Sequence, residues 1–259
     1  MEQPTWAGVR AIVLAVTALF LLPLQAQAER NWEFSVSAFG GKALHSKEDV
    51  DISQGPILDA GGMVIGTYTD ATANDLNRDD APTFGGKLTA WHLPRQYKWQ
   101  PQIGLELDWT RFTADLPPQT VGASGTSSVP GTQLNTITFT VPLDFSVNVL
   151  AVNLLFRYPI GATPEMPQGR WYPYVGGGLG AQRATLSVLG YEETSYSPAL
   201  QGLVGVKVFL IKNLAIFGEV KRTTGWNKFD YEDAGAPPGY YEKYTITSNH
   251  LVAGVALHF

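Results

Sequence analysis

The last nine residues of this 259-residue chain alternate between two kinds of side chain. An extended strand sends successive side chains to opposite faces. One face of the segment is therefore apolar and ends in an aromatic ring, whereas the other face is small or polar. The apolar face consists of Leu251, Ala253, Val255, Leu257 and Phe259. Such a strand can cover the core of a soluble sheet, or it can face lipid from the wall of a β-barrel.

The start of the chain predicts a secretory signal peptide. The apolar run Ala11–Leu24 is followed by the small-residue cleavage site Ala26–Ala28, so the cut would fall before Glu29. This run is shorter than the roughly 20 residues that cross a bilayer as a helix. The chain is thus divided into a signal peptide (1–28) and one barrel domain (29–259). Since no later apolar run is long enough, any membrane crossing must use strands.

Composition narrows the functional classes. The formal net charge is −5 and no basic cluster stands out, so no nucleic-acid partner is expected. The chain contains no cysteine, which excludes thiol catalysis, cysteine-based zinc sites and disulfide stabilisation. The length of the mature region suits a single large all-β domain.

Alternation and turn signals predict eight strands. Long polar connections follow the first, third and seventh strands, and shorter ones follow the second, fourth and sixth. The connection after the fifth strand, about 189–195, is short where this rhythm would place a long one. An even strand number brings both termini to one end of a barrel. The predicted strands cover 31–41, 82–93, 102–114, 136–160 (irregular near Pro142), 171–188, 196–211, 214–229 and 241–259.

These features predict an all-β fold, an eight-stranded antiparallel transmembrane β-barrel with long extracellular loops. Aromatic residues cluster near the predicted strand ends, as in the two interfacial girdles of membrane proteins. One girdle would comprise Tyr97, Trp99, Tyr158, Trp171, Tyr172, Tyr174 and Phe259. The outer girdle would comprise Trp109, Phe112, Tyr196, Trp226, Phe229, Tyr241 and Tyr244.

Four stretches carry a family resemblance: Trp171–Gly180, Gly202–Lys207, Phe217–Arg222 and His250–Phe259. They resemble the small eight-stranded outer-membrane β-barrel family, which groups the membrane domain of the OmpA type with opacity-like and OmpW-like porins. The resemblance covers essentially the whole mature region. It implies the fold and the cell-envelope location, whereas roles within the family range over envelope integrity, adhesion and small-molecule passage.

From this resemblance we expect a monomeric barrel in the outer membrane of a Gram-negative bacterium, reached through the periplasm. Its surroundings would be outer-membrane lipid and lipopolysaccharide. We expect a structural or surface-interaction role, with recognition in the loops 42–80, 115–135 and 230–240. The alternative is a narrow porin-like conduit for small or apolar solutes. No enzyme activity, cofactor or metal is expected.

The terminal strand resembles the C-terminal assembly signal of outer-membrane proteins. Leu251, Ala253, Val255, Leu257 and Phe259 would engage the barrel-assembly machinery. Deleting Phe259 should therefore lower the outer-membrane level of the protein more than replacing any loop residue. Immunoblotting of membrane fractions measures both, and equal levels would contradict this prediction.

Strand parity also predicts a set of charges that point into the barrel. An eight-stranded barrel is just wide enough inside for side chains, and an unpaired buried charge costs several kcal/mol. We therefore expect these residues to form an ion-pair network that plugs the lumen, with a gate or polar conduit as the alternative. They are Lys87, Glu106, Asp108, Arg157, Lys207, Glu219 and Lys221.

An enzyme that deacylates lipid A is a weaker alternative. Ser248 and His250 share a strand face, and Glu219 lies on the neighbouring strand, but nucleophilic hydrolysis needs these groups joined by hydrogen bonds. Their lumen parity also separates them from a lipid substrate outside the barrel. His45, His92 and His258 are scattered and suggest no metal site.

Two further alternatives are a Ca²⁺ site in the first loop and a water-soluble barrel in place of a membrane one. The aspartates of the loop could bind Ca²⁺, but they lack the spacing of a calcium loop. They are Asp49, Asp51, Asp59, Asp70, Asp75, Asp79 and Asp80. A soluble lipocalin-like carrier has the same alternation with its faces reversed, so that its apolar side lines a cavity.

Overall fold

The computed structural model describes residues 31–58, 63–94, 97, 99–230 and 240–259. The predicted signal peptide (1–28) and most of the connection predicted over 230–240 lie outside these residues. No helix within the described ranges is long and apolar enough to cross a bilayer. The ranges form twelve strands: β1 (Trp32–His45), β2 (Glu48–Leu58), β3 (Val64–Leu76), β4 (Ala81–His92), β5 (Gln102–Thr113), β6 (Gln119–Ser127), β7 (Thr136–Phe139), β8 (Asp144–Arg157), β9 (Trp171–Val188), β10 (Tyr191–Ile211), β11 (Leu214–Asp230) and β12 (Tyr241–His258).

Eight of these strands close into an antiparallel ring in the order β1-β4-β5-β8-β9-β10-β11-β12. The ring is closed by β1 and β12, whose register runs from Ser35 opposite His258 to His45 opposite Ser248. The eight-stranded antiparallel barrel predicted from alternation is thus confirmed. We call the end that holds Trp32 and His258 the terminal end, and the opposite end the cap end.

Two predicted strand boundaries were wrong. The predicted strand 136–160 is divided into β7 and β8, because Pro142 between them has no N–H to continue the ladder. The connection predicted over 189–195 is only the turn Leu189–Gly190. Both turn residues have positive φ, 49° and 85°, as in the two-residue turns that match strand twist. The tight turn predicted at Lys212–Asn213 is present between β10 and β11.

The long loop predicted over 42–80 is largely strand, and the one predicted over 115–135 contains the strand β6. β2, β3, β6 and β7 extend the sheet at the cap end in the order β12-β2-β3-β6-β7. Val50 and Ile52 of β2 and Ala71 and Ala73 of β3 turn inward and are buried. Alternation is weak there because the inward apolar residues are few and Asp, Thr and Gly lie between them. We call β2, β3, β6 and β7 together the cap sheet.

The ring is apolar outside and polar inside. Outward residues such as Leu105 and Val152 are 55% and 57% exposed, whereas the inward Asp108 and Lys221 are inaccessible. This is the reverse of a soluble carrier, whose apolar face lines the cavity. The exposed apolar surface continues around the ring and needs an apolar environment to cover it.

The predicted aromatic girdles are correct only in part. Trp99 and Trp171 near the terminal end, and Trp109 and Trp226 toward the cap end, do face outward. The prediction was wrong for residues whose strand parity turns them into the barrel, where they fill space between other side chains. These inward aromatics are Phe112, Tyr172, Tyr174, Phe229 and Tyr244.

The final strand has the orientation that its alternation predicts. Leu251, Val255, Leu257 and Phe259 project outward with exposed fractions of 43–60%. Phe259 adds to the ladder through its backbone, donating to the carbonyl of Phe34 at 2.9 Å and accepting from the Phe34 N–H at 3.3 Å. The segment thus presents an apolar outer edge beside β1.

Candidate functional site

The interior of the ring is the candidate site, because it collects the charged residues that strand parity predicts to face inward. All seven are buried, with exposed fractions of 6% or less. Strand register brings them together in two layers along the barrel. They are Lys87, Glu106, Asp108, Arg157, Lys207, Glu219 and Lys221.

Lys87 lies at the centre of the first layer. Its ammonium group is 2.7 Å from both carboxylate oxygens of Glu219, 3.2 Å from Glu106 and 3.4 Å from Asp108. Glu219 also accepts a hydrogen bond of 2.8 Å from the hydroxyl of Tyr174. One cation therefore holds carboxylates from β5 and β11 on opposite sides of the interior.

Lys221 forms the second ion pair of this layer. Its ammonium group donates to the two oxygens of Asp108 at 2.9 and 3.1 Å and to the hydroxyl of Thr110 at 2.7 Å. Thr110 in turn donates to Asp108 at 2.6 Å. Every hydrogen that the ammonium group carries thus has an oxygen within reach, which is what a buried lysine requires.

Uncharged polar residues complete the layer, and no sequence pattern singled them out. Asn153 donates to Glu106 at 3.2 Å and to Gln201 at 2.7 Å. Thr89 donates to the other Glu106 oxygen at 3.2 Å. Glu106 thus has partners on β4 and β8, and through Asn153 and Gln201 the network is continuous across β4, β5, β8 and β10.

Lys207 differs from the other predicted charges. No described residue forms a hydrogen bond or ion pair with its ammonium group, which lies 5.4 Å from the ring centre of Phe217 and 5.9 Å from that of Tyr172. It lines a cavity of about 10 Å³ between the two charged layers. That volume has room for about one water molecule.

Arg157 centres the second layer, near the terminal end. Its guanidinium group holds both oxygens of Glu33 at 2.7 and 3.0 Å and donates to Gln102 at 2.8 Å. The ring centres of Trp91 and Tyr172 lie 4.4 and 4.6 Å from it.

Two members of this second layer were missed by the sequence analysis. Glu33 has the parity of the other lumen residues, between the outward Trp32 and Phe34, and that signal could have found it. His258 lies with Nδ1 2.5 Å from Glu33. Adding Glu33 changes the predicted set of four bases and three acids into four of each, so the interior is formally neutral.

The cap end of the ring is filled with apolar side chains instead of charges. Phe112, Phe145, Phe229, Tyr244 and Ile246 project inward and are buried. They form one core with the inward residues of the cap sheet, including Val50, Ile52, Ala71, Ala73 and Leu76. The interior is therefore layered, with an apolar plug next to the charged network.

Glu48 and Arg78 form a buried ion pair that joins the cap sheet to the ring. Arg78 donates to Glu48 at 3.1 Å and to the carbonyl of Ala114 at 2.6 Å, and its guanidinium group stacks 4.6 Å from the ring of Phe145. Glu48 also accepts from the backbone N–H of Thr247 in β12. Burial raises the pKa of the Glu48 carboxyl, and Arg78 acts in the opposite direction. We call Glu48 and Arg78 the cap latch.

The residues considered for lipid hydrolysis do not form a catalytic arrangement. Ser248 and His250 are fully buried, and their side-chain polar atoms have no hydrogen-bond partner among the described residues. His250 instead packs its ring 4.8 Å from Phe112. Glu219 is held by Lys87, so no nucleophile, base and acid are linked.

The aspartates considered for Ca²⁺ instead hold the cap sheet together. Asp49 accepts from the N–H of Asp75 and Asp51 from the hydroxyl of Thr72, both at 3.0 Å. Asp80 pairs with Lys42 at 2.9 Å. Asp59 lies outside the described residues, and among those described no group of three or more His, Asp or Glu could hold a metal ion.

Several solved bacterial membrane proteins align with most of this chain at low sequence identity. No protein-family model matches the chain, and no curated protein matches it. The outer membrane protein OprG of Pseudomonas aeruginosa is 13% identical with a TM-score of 0.49, over 91% of this chain and 99% of that chain. Neisserial surface protein A is 16% identical with a TM-score of 0.44, over 88% and 97%. The outer membrane protease OmpT of Escherichia coli is 10% identical with a TM-score of 0.42, over 91% and 99%. At these identities the similarities assign the chain no family, activity or ligand.

Proposed function

We propose that the chain is an integral outer-membrane β-barrel protein of a Gram-negative cell envelope, with a structural or surface-interaction role. A closed ring with an apolar exterior supports the membrane location, because closure leaves no unpaired strand edge in lipid. The terminal end would face the periplasm and the cap end the cell exterior. The protein would be a monomer surrounded by outer-membrane lipid and lipopolysaccharide, after assembly through its C-terminal strand.

One observation carries the choice of a scaffold over a conduit: the interior is filled along its length. The two charged layers are neutral together and hydrogen-bonded across the ring, and the apolar plug follows them at the cap end. A barrel filled in this way transmits no solute, and its function would reside on its outer surfaces. Recognition would then belong to the cap sheet and to the connection over 230–240, which the ring holds in a fixed position.

The proposal predicts that the protein is electrically silent. Protein extracted from the outer membrane of an expressing bacterium would first be checked for a heat-dependent gel shift in SDS. It would then be added to planar bilayers, with a water-filled porin as the positive control. We expect no reproducible conductance step, because the only passage would be through the packed interior.

The possible results separate the alternatives. Stable conductance steps would overturn the scaffold and favour the narrow conduit, with Lys207 beside its small cavity as the starting point for a path. Absence of the protein from the outer membrane would overturn the membrane location itself. A barrel that is heat-modifiable and silent supports the scaffold.

A further inference from the structure

Arg111 and Arg183 face outward from neighbouring parts of the ring without a counter-ion among the described residues. Arg111 of β5 and Arg183 of β9 form no ion pair with any described residue, whereas two outward lysines do: Lys42 pairs with Asp80 at 2.9 Å and Lys228 with Asp230 at 2.6 Å. Unpaired arginines in a chain with a net charge of −5 are unexpected. They therefore point to an anion that comes from outside the chain.

Strand register places the two arginines in one row. Arg111 is directly opposite Asn148 of β8, and Asn148 is directly opposite Arg183. Neighbouring strands lie about 4.8 Å apart, so the backbones at the two arginines are about 10 Å apart across β8. Both guanidinium groups can reach a single group held over Asn148. Arg183 also lies 6.0 Å from the ring centre of Tyr196, the next residue of the row.

The rows on either side differ in chemistry. Toward the terminal end, the outward neighbours are Trp109, Leu150 and Ala181, which belong to the apolar exterior. Toward the cap end, the outward neighbours are three hydroxyl residues in register, Thr113, Ser146 and Thr185. The arginine row is thus the first polar row beyond the apolar exterior, with hydroxyl groups beyond it. The next outward residue of β8, Asp144, is the first acidic group.

This order matches a membrane lipid with a phosphorylated headgroup. We propose that Arg111, Asn148 and Arg183 bind the phosphate of such a lipid, whose acyl chains lie along Trp109 and Leu150. Thr113, Ser146 and Thr185 face the sugar or glycerol part of the headgroup. Arginine suits this role because its planar fork of N–H donors matches phosphate oxygens. We call Arg111, Asn148 and Arg183 the phosphate row. The inference rests on the proposed outer-membrane location.

The test measures retained lipid directly. The mature protein is purified from outer membranes and exchanged into phosphatidylcholine nanodiscs. The nanodiscs contain diphosphorylated lipid A, the same glycolipid without phosphates, or neither. Native mass spectrometry then counts the lipids that stay bound. We expect the wild type to retain the phosphorylated lipid selectively. The variant Arg111→Gln/Arg183→Gln should retain it about tenfold less, since it loses charge-assisted hydrogen bonds.

A matched control separates a defined site from general attraction to positive charge. Arg222 of β11 also faces outward without an ion pair among the described residues, but its register neighbours are Gly202 and Asn249. We expect Arg222→Gln to retain lipid as the wild type does. An equal loss in this variant would overturn the phosphate row in favour of unspecific charge.

The remaining outcomes are also decisive. Equal retention of the phosphorylated and phosphate-free glycolipids, or full retention by the double variant, overturns the phosphate row while leaving the barrel in its membrane. Displacement of the lipid by inorganic phosphate at millimolar concentration would identify a site for free anions and overturn the proposal that the ligand is a lipid. A wild-type chain absent from the outer membrane would overturn the proposed location, and the lipid site with it.

Discussion

Replacing Arg157 with methionine is expected to lower the free energy of unfolding by about 3–5 kcal/mol, because it removes one partner of a buried ion pair. Arg157 is 1% exposed, and its guanidinium group donates two hydrogen bonds to the Glu33 carboxylate and one to Gln102. Methionine keeps much of the volume between Trp91 and Tyr172. The loss would therefore come mainly from the carboxylate left without a cation. Urea unfolding in phospholipid vesicles, followed by tryptophan fluorescence, measures it.

A second substitution separates charge from packing. Adding Glu33→Leu removes the uncompensated carboxylate, so Arg157→Met/Glu33→Leu should recover most of the loss, as apolar replacements of buried ion pairs often do. Arg170→Met is the matched control, since Arg170 is exposed at the terminal end and has no ion pair among the described residues. If Arg157→Met unfolded at the same urea concentration as Arg170→Met, the Glu33–Arg157 pair would have no stabilising role.

The ring could be predicted because its strands obey a single rule. Leu105, Leu107 and Trp109 alternate with Glu106 and Asp108, and the same period of two fixes which residues face inward. The exact bounds of β9 followed from its pattern and flanking turns. Partners across the ring could not be predicted, since Lys87 and Glu219 are 132 residues apart in sequence. Strand parity predicts which face of the sheet a residue lies on. Its partners depend on the strand register, which is set only when the ring closes.

The cap sheet could not be predicted from alternation, and the reason is physical. One face of its strands is exposed to solvent, and the other contacts the plug through a few residues such as Ile52, Ala71 and Ala73. Polar runs of this kind are typical of loops, and their hydrogen bonds to other strands leave no periodic signal. Arg78, placed by the sequence in a loop, is 7% exposed because three separate chain segments surround it. Only the closed ring brings those segments together.

The cap latch gives the second large effect that we expect. Replacing Arg78 with methionine leaves Glu48 buried without its cation, a loss of about 3–5 kcal/mol. Since the pair joins β2 to β12, this loss should appear as local opening of the cap sheet. Hydrogen–deuterium exchange at amides of β2 and β3 should then quicken about a hundredfold or more where these amides exchange by local opening. Amides of β10 in the ring should exchange at unchanged rates.

Two further variants decide whether the buried charge is the cause. Lys42→Met breaks the Lys42–Asp80 pair at the same end of the ring, but those side chains are 59% and 42% exposed, and such pairs contribute under about 1 kcal/mol. It should leave exchange in β2 nearly unchanged. Arg78→Met/Glu48→Gln should restore most of the protection, since a neutral amide oxygen can still accept from the N–H of Thr247. Equal exchange in the Lys42 and Arg78 variants would mean that packing against the plug alone holds the cap sheet.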